Sequence, residues 1–266
     1  MRPTARYLME TEAHVYALAV SASVLLAFFP FLTVMISFCR DVLHWHAAQQ
    51  AVNMALSDLF AGQAGKFLVY NINLPWMVPK ITFTSMFLLL FTANGIFEPM
   101  EVALNRAWGV TANRSYVKNQ AISLGLILAC GTLALLSLML SALGGQFLSG
   151  ATGTLAEVAG FLQRLLFKLA AVPLSMLALF LVYWLLPNRK IDPGRVAPVA
   201  IVVGLILEGL KYVNMLIANS LHEKLDREYR IFEYSVTIVL WSFVGALVVL
   251  AGAHWTARRD TADPLS

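Results

Sequence analysis

Residues 196–219 read VAPVAIVVGLILEGLKYVNMLIAN. A bilayer core is crossed by about 20 mostly apolar residues in a helix, and this stretch is long enough. Its middle holds a carboxylate and an ammonium, Glu208 and Lys211. Ionisable groups at that depth are unfavourable unless they find partners, water or a task. The expectation is a membrane protein with something polar inside it.

The rest of the chain agrees. Apolar residues make up 59% of the 266 and charged residues 13%, against about 25% charged in a soluble domain; mean hydropathy is +0.72. Five further apolar blocks approach bilayer length, near 15–38, 81–98, 120–144, 169–187 and 235–256. The expected fold class is therefore an all-α membrane protein, a bundle of six transmembrane helices in one polytopic domain over 1–266. The first block is too long for the apolar core of a signal peptide, so it reads as an uncleaved first span.

Between the first and second spans the sequence predicts an additional amphipathic helix. Val52, Ala55, Leu56, Leu59 and Phe60 repeat at helical spacing, with Gln49, Gln50, Asn53, Ser57 and Asp58 on other faces. Its polar face has no Lys or Arg to grip anionic lipid. That favours a connecting helix packed on the bundle over one lying in the interface.

The net charge of +4 is spread over the segments between spans and forms no basic stripe, so nucleic acid is not an expected partner. Membrane lipid is one. With a cytoplasmic N-terminus, ten Lys or Arg fall on inside segments and eight on longer outside segments. This bias favours both termini inside. Cys39 and Cys130 have no metal-ligand spacing and read as free thiols. Pro30, Pro173 and Pro198 each tend to bend a span. Ser137, Ser141 and Gly145 form a small-residue stripe suited to close helix contact within the chain.

Two polar groups stand out. Glu208 and Lys211 are i and i+3 on one helical face, near enough to pair, with Asn214 and Asn219 continuing toward the outer side. A polar path and a self-neutralised packing pair are even readings of that face. Asn94, Glu98, Glu101 and Asn105 gather at the cytoplasmic end of the second span, where Glu98 and Glu101 have Arg106 or the Arg189–Lys190 turn as candidate partners. An ion-pair clasp between two inside loops is the simpler reading there; an inner mouth is the functional one. The outside segment 222–235 mixes both signs of charge with aromatic residues and reads as a solvated turn.

Five segments taken together, SASVLLAFFPFLTV (21–34), IFEPMEVALNRAWGV (96–110), YWLLPNRK (183–190), LILEGLKY (205–212) and LWSFVGALVVLAGA (240–253), resemble the YihY/virulence factor BrkB family. The resemblance runs over nearly the whole chain and implies a six-helix protein of the bacterial inner membrane. The family's carboxylate–Asn–Trp pattern fits Glu101, Asn105 and Trp108. Its LPN turn fits Pro187 and Asn188, and its acid-to-lysine step fits Glu208 and Lys211. Two departures are plain: His254 stands where the family commonly has a glutamate, and Tyr234–Ser235 replaces a Tyr-Gly.

The family has carried a ribonuclease label, which the residues do not support. A metal-dependent nuclease needs clustered His and carboxylate ligands, and the five histidines, at 14, 44, 46, 222 and 254, are scattered. No phosphate-cradling glycine loop or nucleophile elbow is present. Neither catalysis, nor a metal, nor a cofactor is expected. The leading expectation is transporter-like handling of an amphiphilic or charged envelope solute. Glu208, Lys211 and Asn214 would line its path, with Glu98, Glu101, Asn105 and Arg189 at the inner mouth. The other reading is a membrane scaffold that docks an envelope protein partner through 40–80 and 222–234. The oligomeric state is not legible in the sequence.

Overall fold

The computed structural model describes residues 12–42, 44–45, 49–50, 52–53, 56, 66, 69–70, 83–110, 114–146, 170 and 172–261. Among them all regular structure is helical. Six helices stand where the six apolar blocks are: α1 (Ala13–Ser37), α2 (Phe83–Ala107), α3 (Tyr116–Gln146), α4 (Val172–Leu185), α5 (Pro193–Tyr229) and α6 (Glu233–Thr261). In lipid a helix is the form in which an isolated segment satisfies its own backbone N–H and C=O groups, which is why apolar runs settle into this one element.

Four of the six are long and apolar enough to cross a membrane, over Ala13–Asp41, Val117–Ser137, Pro193–Ala218 and Glu233–Ala257. The expected count of six is not reached, for two different reasons. The described part of α4 is apolar but short, about 21 Å at 1.5 Å per residue. α2 has the length, yet Asn94, Glu98 and Pro99 dilute its apolar half.

Local chemistry sets several boundaries. Asp192 caps α5, its Oδ1 accepting from the Gly194 N–H at 3.2 Å, with Pro193 at the first helical position. α5 then runs well past the span end at Ala218, because Leu221 and Leu225 continue its inward stripe. Much of segment 222–235, expected as a turn, is thus helix. The reversal is confined to Arg230–Phe232, where Arg230 takes φ 47°. α1 ends in a π-helical turn at Phe38–Val42. The motif Glu101-Asn105 lies on the last turns of α2, with Trp108 just beyond its end.

α1 packs on α2 and α6, α5 packs on α6, and α3 lies against α2. α3 exposes Val117, Leu124, Leu128 and Leu136, as a peripheral span facing lipid does. One buried cluster runs through all six helices and includes Ala17, Leu104, Leu126, Tyr183, Val199 and Leu250. A second joins Leu32 and Ile36 of α1 to Ile238 of α6 and to Val52 and Leu56. Residues 52–53 and 56 are helical and the two apolar ones are buried, so this part of the amphipathic stretch packs on the bundle. Ala55, Leu59 and Phe60, the rest of its expected stripe, lie outside the described residues.

The tightest junction joins α4, α5 and α6. A Cβ on Gly252 would stand 2.5 Å from both the Tyr183 hydroxyl and Val203 Cγ2. The backbones meet here because glycine leaves the space empty. The Tyr183 hydroxyl, buried, donates to the Val249 carbonyl at 2.7 Å. Gly252→Ala is expected to destabilise the protein by about 1–3 kcal/mol through overpacking, read as a lower melting temperature in detergent. Gly245→Ala is the control: its Cβ meets only Leu207, at 3.9 Å, and the melting temperature should hold.

Candidate functional site

The polar seam begins with another close approach. Gly204 of α5 faces Met176 of α4, and a Cβ there would lie 2.7 Å from Met176 Cγ. One turn along α5 comes Glu208, and one residue before Met176 comes Ser175. The Ser175 hydroxyl donates to the Val172 carbonyl at 2.8 Å and reaches Glu208 Oε1 at 3.4 Å. Lys211 donates to the same carboxylate oxygen at 2.7 Å. The pair expected from i, i+3 spacing is therefore made, and a hydroxyl from a neighbouring helix joins it. Ser175 was not singled out from the sequence; a lone serine in an apolar run gives no signal of its partner.

Burial across the seam is lopsided. The Glu208 side chain is 21% exposed and that of Lys211 65%. Asn214, one turn further on, is buried; the side chain of Asn219 lies outside the described residues. On α6, Gly245 faces Leu207 and Glu233 bonds His222 through Nδ1. Those two fixed points bracket Trp241 and put it level with residues near Lys211. Its indole N–H is buried without an acceptor.

Below the seam the interior is closed. Tyr183, Val199, Val203, Leu250 and Gly252 are all buried, and they separate Glu208 from the polar group of Glu101 and Asn105. Ser175 and Leu185 are ten residues apart on α4, about 15 Å along its axis.

At that end Glu101 and Asn105 are buried on α2. Asn105 Oδ1 accepts from the Asn188 backbone N–H at 2.7 Å. Arg114 closes the other side. Its Nη1 donates to the carbonyls of Leu185 and Leu186 at 3.2 and 3.3 Å, and its Nη2 to those of Leu185 and Pro187. These lie at the C-terminal end of α4, where helix carbonyls lack partners and the dipole favours a cation. Burial lowers the Arg114 pKa from the usual guanidinium range, and the Glu101 carboxylate works against that shift. The guanidinium stays charged.

The two segments expected to be clasped by ion pairs of Glu98 and Glu101 are joined by the hydrogen bonds of Asn105 and Arg114 and by a ring contact. Arg189 lies over the buried Trp108 ring, 5.9 Å from its centroid, a cation–π contact. Arg106 pairs with Glu12 at 3.6 Å and lies over the Tyr16 ring. Glu98 sits on the exposed face of α2 with Val102 and Arg106, away from Glu101. So the structure brings Glu101, Asn105 and Arg189 to one place and leaves Glu98 outside it. Arg114, which reads as one more cytoplasmic cation, is the group that organises the site.

Asn105→Leu is expected to leave the Asn188 N–H unsatisfied and to lower stability by about 1–3 kcal/mol. Arg114→Lys should fail to restore what Arg114→Ala removes, since one ammonium cannot span several carbonyls as a guanidinium fork does. Arg106→Ala should change stability by less than about 1 kcal/mol because its ion pair is exposed. Thermal unfolding of the four variants in one detergent checks the ranking.

No curated protein and no solved structure matches this chain. A family model, Virulence factor BrkB, matches residues 4–264, a range that takes in the seam, the clasp and all six helices. This multi-pass membrane protein belongs to the virulence factor BrkB family.

Proposed function

We propose that this protein handles an amphiphilic or charged envelope solute in the manner of a transporter, in the bacterial inner membrane and with both termini in the cytoplasm. The observation that carries the reading is the Glu208–Lys211 pair. It sits within a bilayer-length helix, its carboxylate held in the α4–α5 seam and its ammonium open. A pair kept only for packing has no need of an open cation, and an unshielded ammonium in hydrocarbon is unfavourable. Access from the cytoplasm is shut by the Tyr183–Gly252 junction, as one state of an alternating cycle requires. The clasp at Asn105 and Arg114 then stands as the inner closure of that state.

We read the chain as non-catalytic, so purified protein should leave RNA intact with or without divalent cations. A scaffold role keeps one specific support: α5 extends past its span with charges of both signs, and Tyr229 and Phe232 are exposed at its end. The two readings part on variants. For transport, Glu208→Ala and Lys211→Ala should each abolish complementation of a deletion strain's envelope phenotype while protein level and melting temperature are kept. For a scaffold, both should complement fully, and replacing exposed residues of 222–234 should not. A cytoplasm-active reporter fused to the C-terminus should fluoresce; an exported-phosphatase fusion at the same point should stay inactive.

A further inference from the structure

We infer that the open end of the seam is a binding site for an anionic amphiphile, whose charged head is taken by the Lys211 ammonium; this rests on the transporter reading and names its substrate class.

Lys211 lies on the inward stripe of α5, with Gly204 seven residues before it, Leu207 four before it and Asn214 three after it. Gly204 and Asn214 are buried, Leu207 is half-buried, and Lys211 is 65% exposed. Of these four Lys211 alone is exposed, and its side chain marks an opening in the stripe between half-buried Leu207 and buried Asn214. An ammonium has three N–H donors, and Glu208 Oε1 accepts from it at 2.7 Å. Glu208 is thereby an anchor that holds the cation at the opening.

The surface around the opening is apolar. Leu205, Tyr212, Met215 and Leu216 are all exposed on the same helix, within the span that ends at Ala218. Lys211 is seven residues short of that end, about 10 Å along the axis. A bare anion would have to shed its water to reach a cation so placed. A molecule with an acyl body and an anionic head keeps its tail in hydrocarbon and brings only the head to the ammonium. The neighbouring polar groups suit such a head: the unsatisfied Trp241 N–H offers a donor, and Glu208 is the one acid on this level among the described residues. Glu208 therefore has two effects. It positions Lys211, and by its own charge it weakens the hold on a second anion.

The test uses full-length protein in nanodiscs of phosphatidylcholine, titrated with fluorescent phosphatidic acid or with a phosphatidylcholine probe of identical acyl chains. The anionic probe should bind more tightly. Lys211→Ala should weaken it at least about tenfold and Lys211→Arg should retain it, as expected for loss or retention of one charge-assisted contact. Glu208→Gln should tighten it, by several-fold, because the competing charge is gone and the amide still accepts from Lys211. A merely structural pair would shift with the same sign in both variants, and that result, or binding indifferent to head charge, overturns the anionic assignment while leaving an amphiphile substrate standing. Displacement of the probe by equimolar inorganic phosphate overturns the amphiphile part. If neither lipid probe binds the wild-type protein, the transporter reading for amphiphiles falls as well.

Discussion

The contact on which the rest of the bundle depends is the meeting of Tyr183, Val203 and Gly252. Three helices come within a side-chain's reach only because α6 has a glycine there. The buried bond from the Tyr183 hydroxyl to the Val249 carbonyl then fixes the rotation of α4 against α6. With that rotation set, the residues of α4 two turns nearer the outer face turn toward α5, and Gly204 lets them close in. Ser175 reaches Glu208 for this reason. The same junction is an apolar layer between two polar groups, so it both assembles the seam and seals it from the clasp at Asn105 and Arg114.

The clasp solves a different problem. A helix as short as the described part of α4 has a large share of its carbonyls in the last turn, where no intrahelical donor serves them. A soluble protein would leave them to water. Here Arg114 takes several of them, and Asn105 of α2 takes the first N–H group of the following turn. Glu101 is the buried counter-charge. In the pattern Glu101, Asn105, Trp108, the last two meet the 185–189 turn directly and Glu101 faces the charge of Arg114, which binds that turn. Each member meets a different feature: charge, N–H and a stacked guanidinium. That turn is in consequence held by polar contacts across more than seventy residues of sequence and by the full burial of its own Leu186 and Pro187.

How much of this was legible follows from which forces are local. Apolar blocks of bilayer length announce helices because no other single segment can satisfy its backbone in lipid, so all six positions were readable. The Glu208–Lys211 bond was readable too, because i, i+3 spacing fixes it within one helix. The continuation of α5 beyond Ala218 had a signal that charge obscured: Leu221 and Leu225 keep the inward stripe through HEKLDREY. The partners of Arg114, Ser175 and Gly252 were not readable. Each is decided by which helix lies alongside, and a serine or glycine in an apolar run looks the same whether it faces lipid or a neighbour.

The amphipathic stretch shows the same division from the other side. Its helical period was visible, and the missing cations on its polar face argued for packing over lipid binding. Val52 and Leu56 do enter the cluster with Leu32, Ile36 and Ile238. That burial lies at the outer ends of α1 and α6, near the latch in which Glu233 bonds His222 in the first turn of α6, where the helix dipole favours a carboxylate. Apolar contact therefore holds α1 to α6 at the outer end, and a polar latch holds α5 to α6. On the α4–α5 seam Ser175 meets Glu208, and the Lys211 side chain is 65% exposed beside them. The bundle is thus fastened at this end along two seams, α1–α6 and α5–α6, and closed beyond the pair by Tyr183, while α4 meets the charged pair of α5 through the Ser175 hydroxyl.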